Sequence, residues 1–386
     1  MSRHIRRTIL ATAAIATGLG FVGTAAAQTV RIGFHAPLTG FAASDGKSAL
    51  NGAELAVEQI NARGGVNGRK LELVVYDDQA KPDQAVPLAN KFLGDSLKVV
   101  ISGSYSGPTR AAAGVFQKAG VPYISAYAIH PDITRAGNFV FRTSFMGEVQ
   151  GKAAAKLIGA SLKHSKVTVI SVNNDFGQAL STGFKSAAKQ FGINIASEYN
   201  FAMGDRQFGG IVASVKRDAP EALYIPGYFF NGGPLVAQLR AAGVTAPIVG
   251  TEGFDTSSFI DIAKKAAEGV LVTTSLDRDS KLAPMRRFID DYEARFKVGA
   301  DMVSASTHTA VNVLANAMAK AGFDDGAKIR AAIAETRDLE VATGKITFNR
   351  SGEVYKAAQI QVIRDGKFRH HSVIDDPVLL AAPLND

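Results

Sequence analysis

Short apolar runs alternate with segments of helical period along nearly the whole chain. Strands are expected at Val30–Phe34, 70–78, 97–103 and 121–127. Between them, 49–60 carries Leu50, Ala53, Val57 and Ile60 at helical spacing, and Pro82 and Pro108 mark the starts of helices 82–92 and 108–118. The stretch "NARGGVNG" stops the first helix, with Gly64-Gly65 and Asn67-Gly68 as turn residues. The alternation resumes after Phe145, with helices at 148–162, 177–191, 207–218 and 233–242 and strands at 166–172, 193–199, 222–228, 247–253 and 269–275. Helices 284–297 and 304–321 follow, and 344–354 with 357–369 read as a hairpin-like end. Such alternation predicts parallel sheets covered by helices on both faces. At 386 residues the chain is too long for one average core. It divides into two doubly wound α/β lobes, joined near 142–147 and again near 273–277.

Composition excludes several kinds of chemistry. There is no cysteine, hence no disulfide, thiolate metal site, cysteine nucleophile or lipid-modified N-terminal Cys. Arg3, Arg6 and Arg7 precede an apolar stretch, Ile9–Val22, and Ala25-Ala26-Ala27 supplies an A-x-A cleavage site. Residues 1–27 are therefore expected to be a secretory signal, with Gln28 the first mature residue. Arg6-Arg7 leaves general and twin-arginine export both open. The formal net charge is +8, of which the signal's three arginines carry +3. The remaining basic residues are scattered and there is no Trp, which argues against nucleic-acid binding. No Walker loop, GxGxxG, HExxH or calcium-loop pattern occurs, so neither a cofactor nor a metal is expected.

The candidate polar groups lie at strand ends, where a doubly wound sheet binds its ligands. Asp77-Asp78 ends the strand "KLELVVYDD". Neighbouring strand residues face opposite sides, so this pair reads as turn structure rather than a catalytic dyad. "GSYSG" (103–107) carries Tyr105 where a nucleophile elbow needs Ser. What remains is a polar loop, with Ser104, Tyr105 and Ser106 leading into a helix: either an anion site or a simple cap. "GTEG" (250–253) sets Glu252 just beyond a strand, where it can meet an ammonium group or sit in solvent. Tyr228 and Phe176 are aromatic candidates for a pocket wall. His35 and His130 have no ligand-spaced partner and read as rim or surface residues.

The chain resembles the leucine/isoleucine/valine-binding family of periplasmic solute-binding proteins of ABC importers. The resemblance rests on 32–93 ("IGFHAPLTG" through "NGAELAVEQINARGGVNGRKLELVVYDD"), "PDIT" (131–134), "FRTSF" (141–145), "DFGQ" (175–178), "GTEG" and "AEGVLVTT" (267–274). It implies a clamshell of two lobes around a cleft, with 28–146 plus 276–356 as lobe one and 147–275 plus 357–386 as lobe two. It also implies a non-enzymatic, monomeric protein that captures a small molecule and hands it to an inner-membrane permease. By position, Ser106 matches the residue that meets a ligand carboxylate, Glu252 the one that receives its ammonium, and Tyr228 a lobe-two aromatic. Tyr127 and Ala128 match cleft-lining backbone positions. Three positions depart from the family: Ile129 replaces a threonine, Asp45 an aromatic residue and Phe176 a tyrosine. The resemblance therefore implies a branched-chain or related amino acid. The departures keep open an aromatic carboxylate, a short amide or urea-type ligand, or a ligand-sensing role.

Overall fold

The computed structural model describes residues 29–384, so residues 1–27, expected to be a secretory signal, lie outside the described residues. The first sheet holds β1 (Val30–Ala36), β2 (Leu71–Asp77), β3 (Val100–Ser102), β4 (Tyr123–Ser125) and β5 (Val140–Arg142). Its order is β2-β1-β3-β4-β5, all parallel. The second holds β6 (Lys166–Val172), β7 (Asn194–Phe201), β8 (Ala222–Ile225), β9 (Ile248–Gly250) and β10 (Leu271–Thr274), parallel in the order β7-β6-β8-β9-β10. A small separate hairpin pairs β11 (Leu339–Val341) with β12 (Gly344–Ile346). A second hairpin, β13 (Ala358–Arg364) and β14 (Lys367–Ile374), adds antiparallel to β10. Its two-residue turn, Asp365-Gly366, has positive φ at both positions, as a tight hairpin between twisted strands requires.

Helices α1 (Ala43–Ala62), α2 (Pro82–Gly94), α3 (Ser106–Ala119) and α4 (Asp132–Arg135) connect the first sheet. Helices α5 (Gly147–Ala155), α6 (Asp175–Ala188), α7 (Gly209–Asp218), α8 (Phe229–Ala241) and α9 (Ser257–Ala263) serve the second. Then α10 (Ala283–Phe296), α11 (Met302–Ala321) and α12 (Gly326–Ala334) return to the first lobe, where α11 lies along α1. The interior strands β3, β4, β8, β9 and β10 are buried on both faces, which is why they carry no apolar–polar alternation.

The α1–α11 contact is close because Gly52 has no side chain. A Cβ there would lie 2.1 Å from the Ser304 carbonyl and 2.5 Å from Thr307 Oγ1, while Thr307 Oγ1 donates to the Ala49 carbonyl at 2.8 Å. Gly52→Ala is therefore expected to force the helices apart, at about 1–3 kcal/mol. A lowered urea midpoint checks this, and an unchanged midpoint contradicts it.

The structure differs from the sequence reading at several ends. Helix α3 begins at Ser106, not Pro108. A proline in the first turn blocks no helical bond, since those N–H groups have no partner inside the helix. Strand β5 and helices α4, α9 and α12 were not anticipated, the longest of them nine residues. The C-terminal region forms two hairpins rather than one. His35 is not a rim residue: it is buried, with Nδ1 2.6 Å from Asp78 Oδ2 and Nε2 2.7 Å from the Tyr123 hydroxyl. Asp77 accepts from the backbone N–H groups of Leu38 at 2.8 Å and Gln79 at 2.9 Å and from the Thr39 hydroxyl at 2.5 Å. Both carboxylates are thus absorbed in joining β1 to β2 and shaping the loops at their ends.

Candidate functional site

Both sheets turn their carboxyl ends to one cleft, each near the point where strand order reverses: β1 beside β3, and β6 beside β8. In the first lobe the chain leaves β3 through Gly103, where a Cβ would collide with the Phe34 ring at 2.4 Å. It enters α3 at Tyr105, which has extended backbone and makes no side-chain cap. The first-turn N–H groups of α3 are thus left uncapped by any side chain, next to the Ser106 hydroxyl. Ser106 Oγ accepts from the Ile129 N–H at 3.2 Å, which leaves its own proton free to donate to a ligand.

The neighbouring loop, 126–130, is held from behind. Arg142, fully buried, donates to the carbonyls of Ala128 at 2.7 Å and His130 at 2.8 Å and pairs with buried Glu353 at 3.0 Å. The Tyr127 hydroxyl donates to the Gly103 carbonyl at 2.8 Å, tying this loop to the α3 entrance.

In the second lobe, Asn174 caps α6 through the Gly177 N–H at 3.0 Å and so presents Phe176 at the cleft. Tyr228 stands at the start of α8, its N–H bound to Asn231 Oδ1 at 3.0 Å. Its ring stacks on Tyr105 across the cleft and on Phe176, both with centroids 4.5 Å apart. The Arg110–Asp175 ion pair at 3.0 Å adds a polar link between the lobes. The lobes are closed on each other.

Glu252 follows β9 in a single 3-10 turn and is 3% exposed. Oε2 accepts from Gln150 Nε2 at 3.2 Å, and Oε1 has no partner. Burial pushes its carboxyl up to about 8, opposed by the Gln150 bond and by more distant Lys356 and Arg142. Asp45, in the first turn of α1, accepts from the Tyr105 hydroxyl at 2.7 Å. Burial pushes its carboxyl up to about 7, against that hydrogen bond and with help from Asp301.

One cavity collects Asp45, Tyr105, Ser106, Tyr127 and Ala128 from the first lobe and Phe176, Tyr228 and Glu252 from the second. Its water-sized free space is about 20 Å³, room for about one water, so a ligand enters only when the lobes part. Ser104 and Ile129 are buried but do not line it. Ile129 acts through its backbone alone, and Ser104 Oγ is buried without a partner. Gly253, Met302 and Val303 also line the cavity, and Gln150 supports Glu252; the sequence reading missed all four. Asp301-x-x-Ser304 is a capping pair that could have located the start of α11, and with it Met302 and Val303. Gln150 gives no such signal. Among the described residues no group of three or more His, Asp or Glu could hold a metal ion, and no helix is long and apolar enough to cross a membrane.

Two lobes built on largely parallel sheets, closed on a mostly apolar cavity that carries two carboxylates, describe a binding architecture, and the periplasmic binding protein family model matches residues 29–367. The chain belongs to that family. Its members are binding proteins, not enzymes. A leucine-, isoleucine-, valine-, threonine- and alanine-binding protein of Pseudomonas aeruginosa is 33% identical, across 85% of this chain and 88% of the relative. A branched-chain amino acid transporter substrate-binding protein of Streptococcus pneumoniae, solved with isoleucine, superposes with a TM-score of 0.84 at 27% identity, covering 90% of this chain and 99% of that one. A leucine-binding protein of Thermotoga maritima superposes with a TM-score of 0.85 at 25% identity, covering 90% and 99%.

Proposed function

We propose that this protein captures a small amino acid between its lobes and delivers it to the permease of an ABC importer. The observation that carries the reading is Glu252: a buried carboxylate with one unpartnered oxygen, in the same cavity as the uncapped start of α3. An α-ammonium satisfies the first, and an α-carboxylate the second together with the Ser106 hydroxyl. The relatives' ligands support this pairing. In this reading 28–146 plus 276–356 form lobe one and 147–275 plus 357–386 form lobe two. With those bounds the chain crosses between lobes near 146–147, 275–276 and 356–357, and these crossings form the hinge. A ligand touching both lobes favours the closed form by its differential affinity. The protein is a monomer that works in the periplasm after cleavage beyond Ala27.

An aromatic carboxylate fits less well, because the cavity is lined by two carboxylates and by no Lys, Arg or His. A short neutral amide is the stronger alternative, since Asp45 and Glu252 can each accept from an amide N–H. A thermal-shift panel on refolded protein separates these readings. An amino acid at about 100 times its Kd adds about 2.7 kcal/mol and raises Tm. A response confined to aromatic carboxylates or to amides contradicts the proposal. Ser106→Ala removes one hydrogen bond to a charged ligand group, worth about 1.5–3 kcal/mol. Calorimetry is expected to show at least about 10-fold weaker binding of the same amino acid, and an unchanged Kd removes Ser106 from the site.

A further inference from the structure

The amino-acid reading uses one of the cavity's two carboxylates and leaves Asp45 unassigned. Asp45 is 4% exposed and belongs to the first lobe, whereas Glu252 belongs to the second. Its side chain makes one hydrogen bond, accepted at Oδ2 from the Tyr105 hydroxyl; Oδ1 makes none. Among the described residues no cation pairs with it. The groups facing it are the phenols of Tyr105, Tyr127 and Tyr228 and the carboxylate of Asp301, the latter bound to Ser48 and Ser304. An aliphatic ligand side chain placed against Asp45 strips water from an oxygen and returns no donor. A ligand hydroxyl or carboxamide supplies that donor. Sites built around a buried acceptor discriminate strongly against the isostere that lacks the matching donor.

We propose that Asp45 makes the cleft select a small amino acid whose side chain ends in a hydroxyl or carboxamide over the aliphatic amino acid of the same shape. The inference rests on the amino-acid reading above. Asp45, with its Oδ2 held by the Tyr105 hydroxyl, is the polar end of the side-chain subsite.

The test is calorimetry with two nearly isosteric pairs, threonine against valine and asparagine against leucine, on refolded protein. The expected result is at least about 10-fold tighter binding of the polar member of each pair. Asp45→Leu should reverse the preference, and Asp45→Asn, which keeps the shape if Asp45→Leu does not fold, should shrink it. Tyr105→Phe removes the donor that Asp45 already has, so the threonine-to-valine preference should persist or grow. Equal binding within both pairs by the wild type overturns the proposal while leaving the amino-acid reading intact. A preference unchanged in Asp45→Asn, or abolished by Tyr105→Phe alone, also overturns it by making Asp45 only a support for Tyr105. Binding of no amino acid at all overturns both.

Discussion

Glu252→Gln is expected to weaken amino-acid binding at least about 100-fold while leaving the protein as stable as before, or more so, near neutral pH. The two halves of that result have one cause. In the closed, ligand-free cleft, burial holds the Glu252 carboxyl up to about 8, so it is mostly protonated at pH 7. Glutamine then replaces one neutral group by another of the same shape. A ligand ammonium, however, needs the ionised carboxylate. Losing a buried charged partner costs about 3 kcal/mol or more, which is about 100-fold in affinity. The pH dependence follows the same logic. A carboxyl whose pKa is higher folded than unfolded binds its proton more tightly in the folded state. Its contribution is full at low pH and is lost as pH rises through the folded value. The Tm of wild type relative to Glu252→Gln should therefore fall between pH 5 and pH 8, and the amino-acid-induced Tm shift of wild type should widen over the same range. The comparison cancels titrating groups that are common to both proteins and not coupled to Glu252, such as His308, whose pKa burial depresses. A Tm difference flat in pH contradicts the account.

Glu353→Ala should cost about 3–5 kcal/mol of stability, because it strands the Arg142 guanidinium in the interior. Both side chains are fully buried, and Glu353 also accepts from Thr134 Oγ1 at 2.5 Å. The damage should reach the cleft, since Arg142 also holds the carbonyls of Ala128 and His130. Ligand affinity is expected to drop even under conditions where the variant remains folded. Urea unfolding measures the first effect and calorimetry the second. A stability loss under about 1 kcal/mol means that the pair does not anchor this loop.

The parts of the site that were legible in the sequence are those that follow directly from a strand. Ser106, Tyr127, Phe176, Tyr228 and Glu252 all come within a few residues of a strand's carboxyl end, where alternation of strand and helix predicts ligand groups. Asp45 was visible only through the resemblance, since nothing in the spacing of α1 marks its third residue as facing a cavity. Long-range partners were not legible. Arg142 and Glu353 are separated by 211 residues, and His35 and Asp78 by 43. The latter pair meets because β1 aligns Ala36 with Asp77, a register that no local pattern specifies. Gln150, which supports Glu252, and Val303, which lines the cavity, come from helices whose apolar faces do not distinguish core from cleft.

The most direct test of the central claim is a calorimetric titration of refolded protein with three forms of one amino acid: the intact zwitterion, the same acid lacking its amino group, and the amino acid with its carboxylate masked as an amide. The account predicts tight binding of the zwitterion and at least about 100-fold weaker binding of the des-amino form, with the loss abolished in Glu252→Gln. It also predicts weakened binding of the carboxamide form, through the α3 start and Ser106. Comparable affinity for the zwitterion and the des-amino acid contradicts the assignment of Glu252, and with it the reading of this cleft as an amino-acid site.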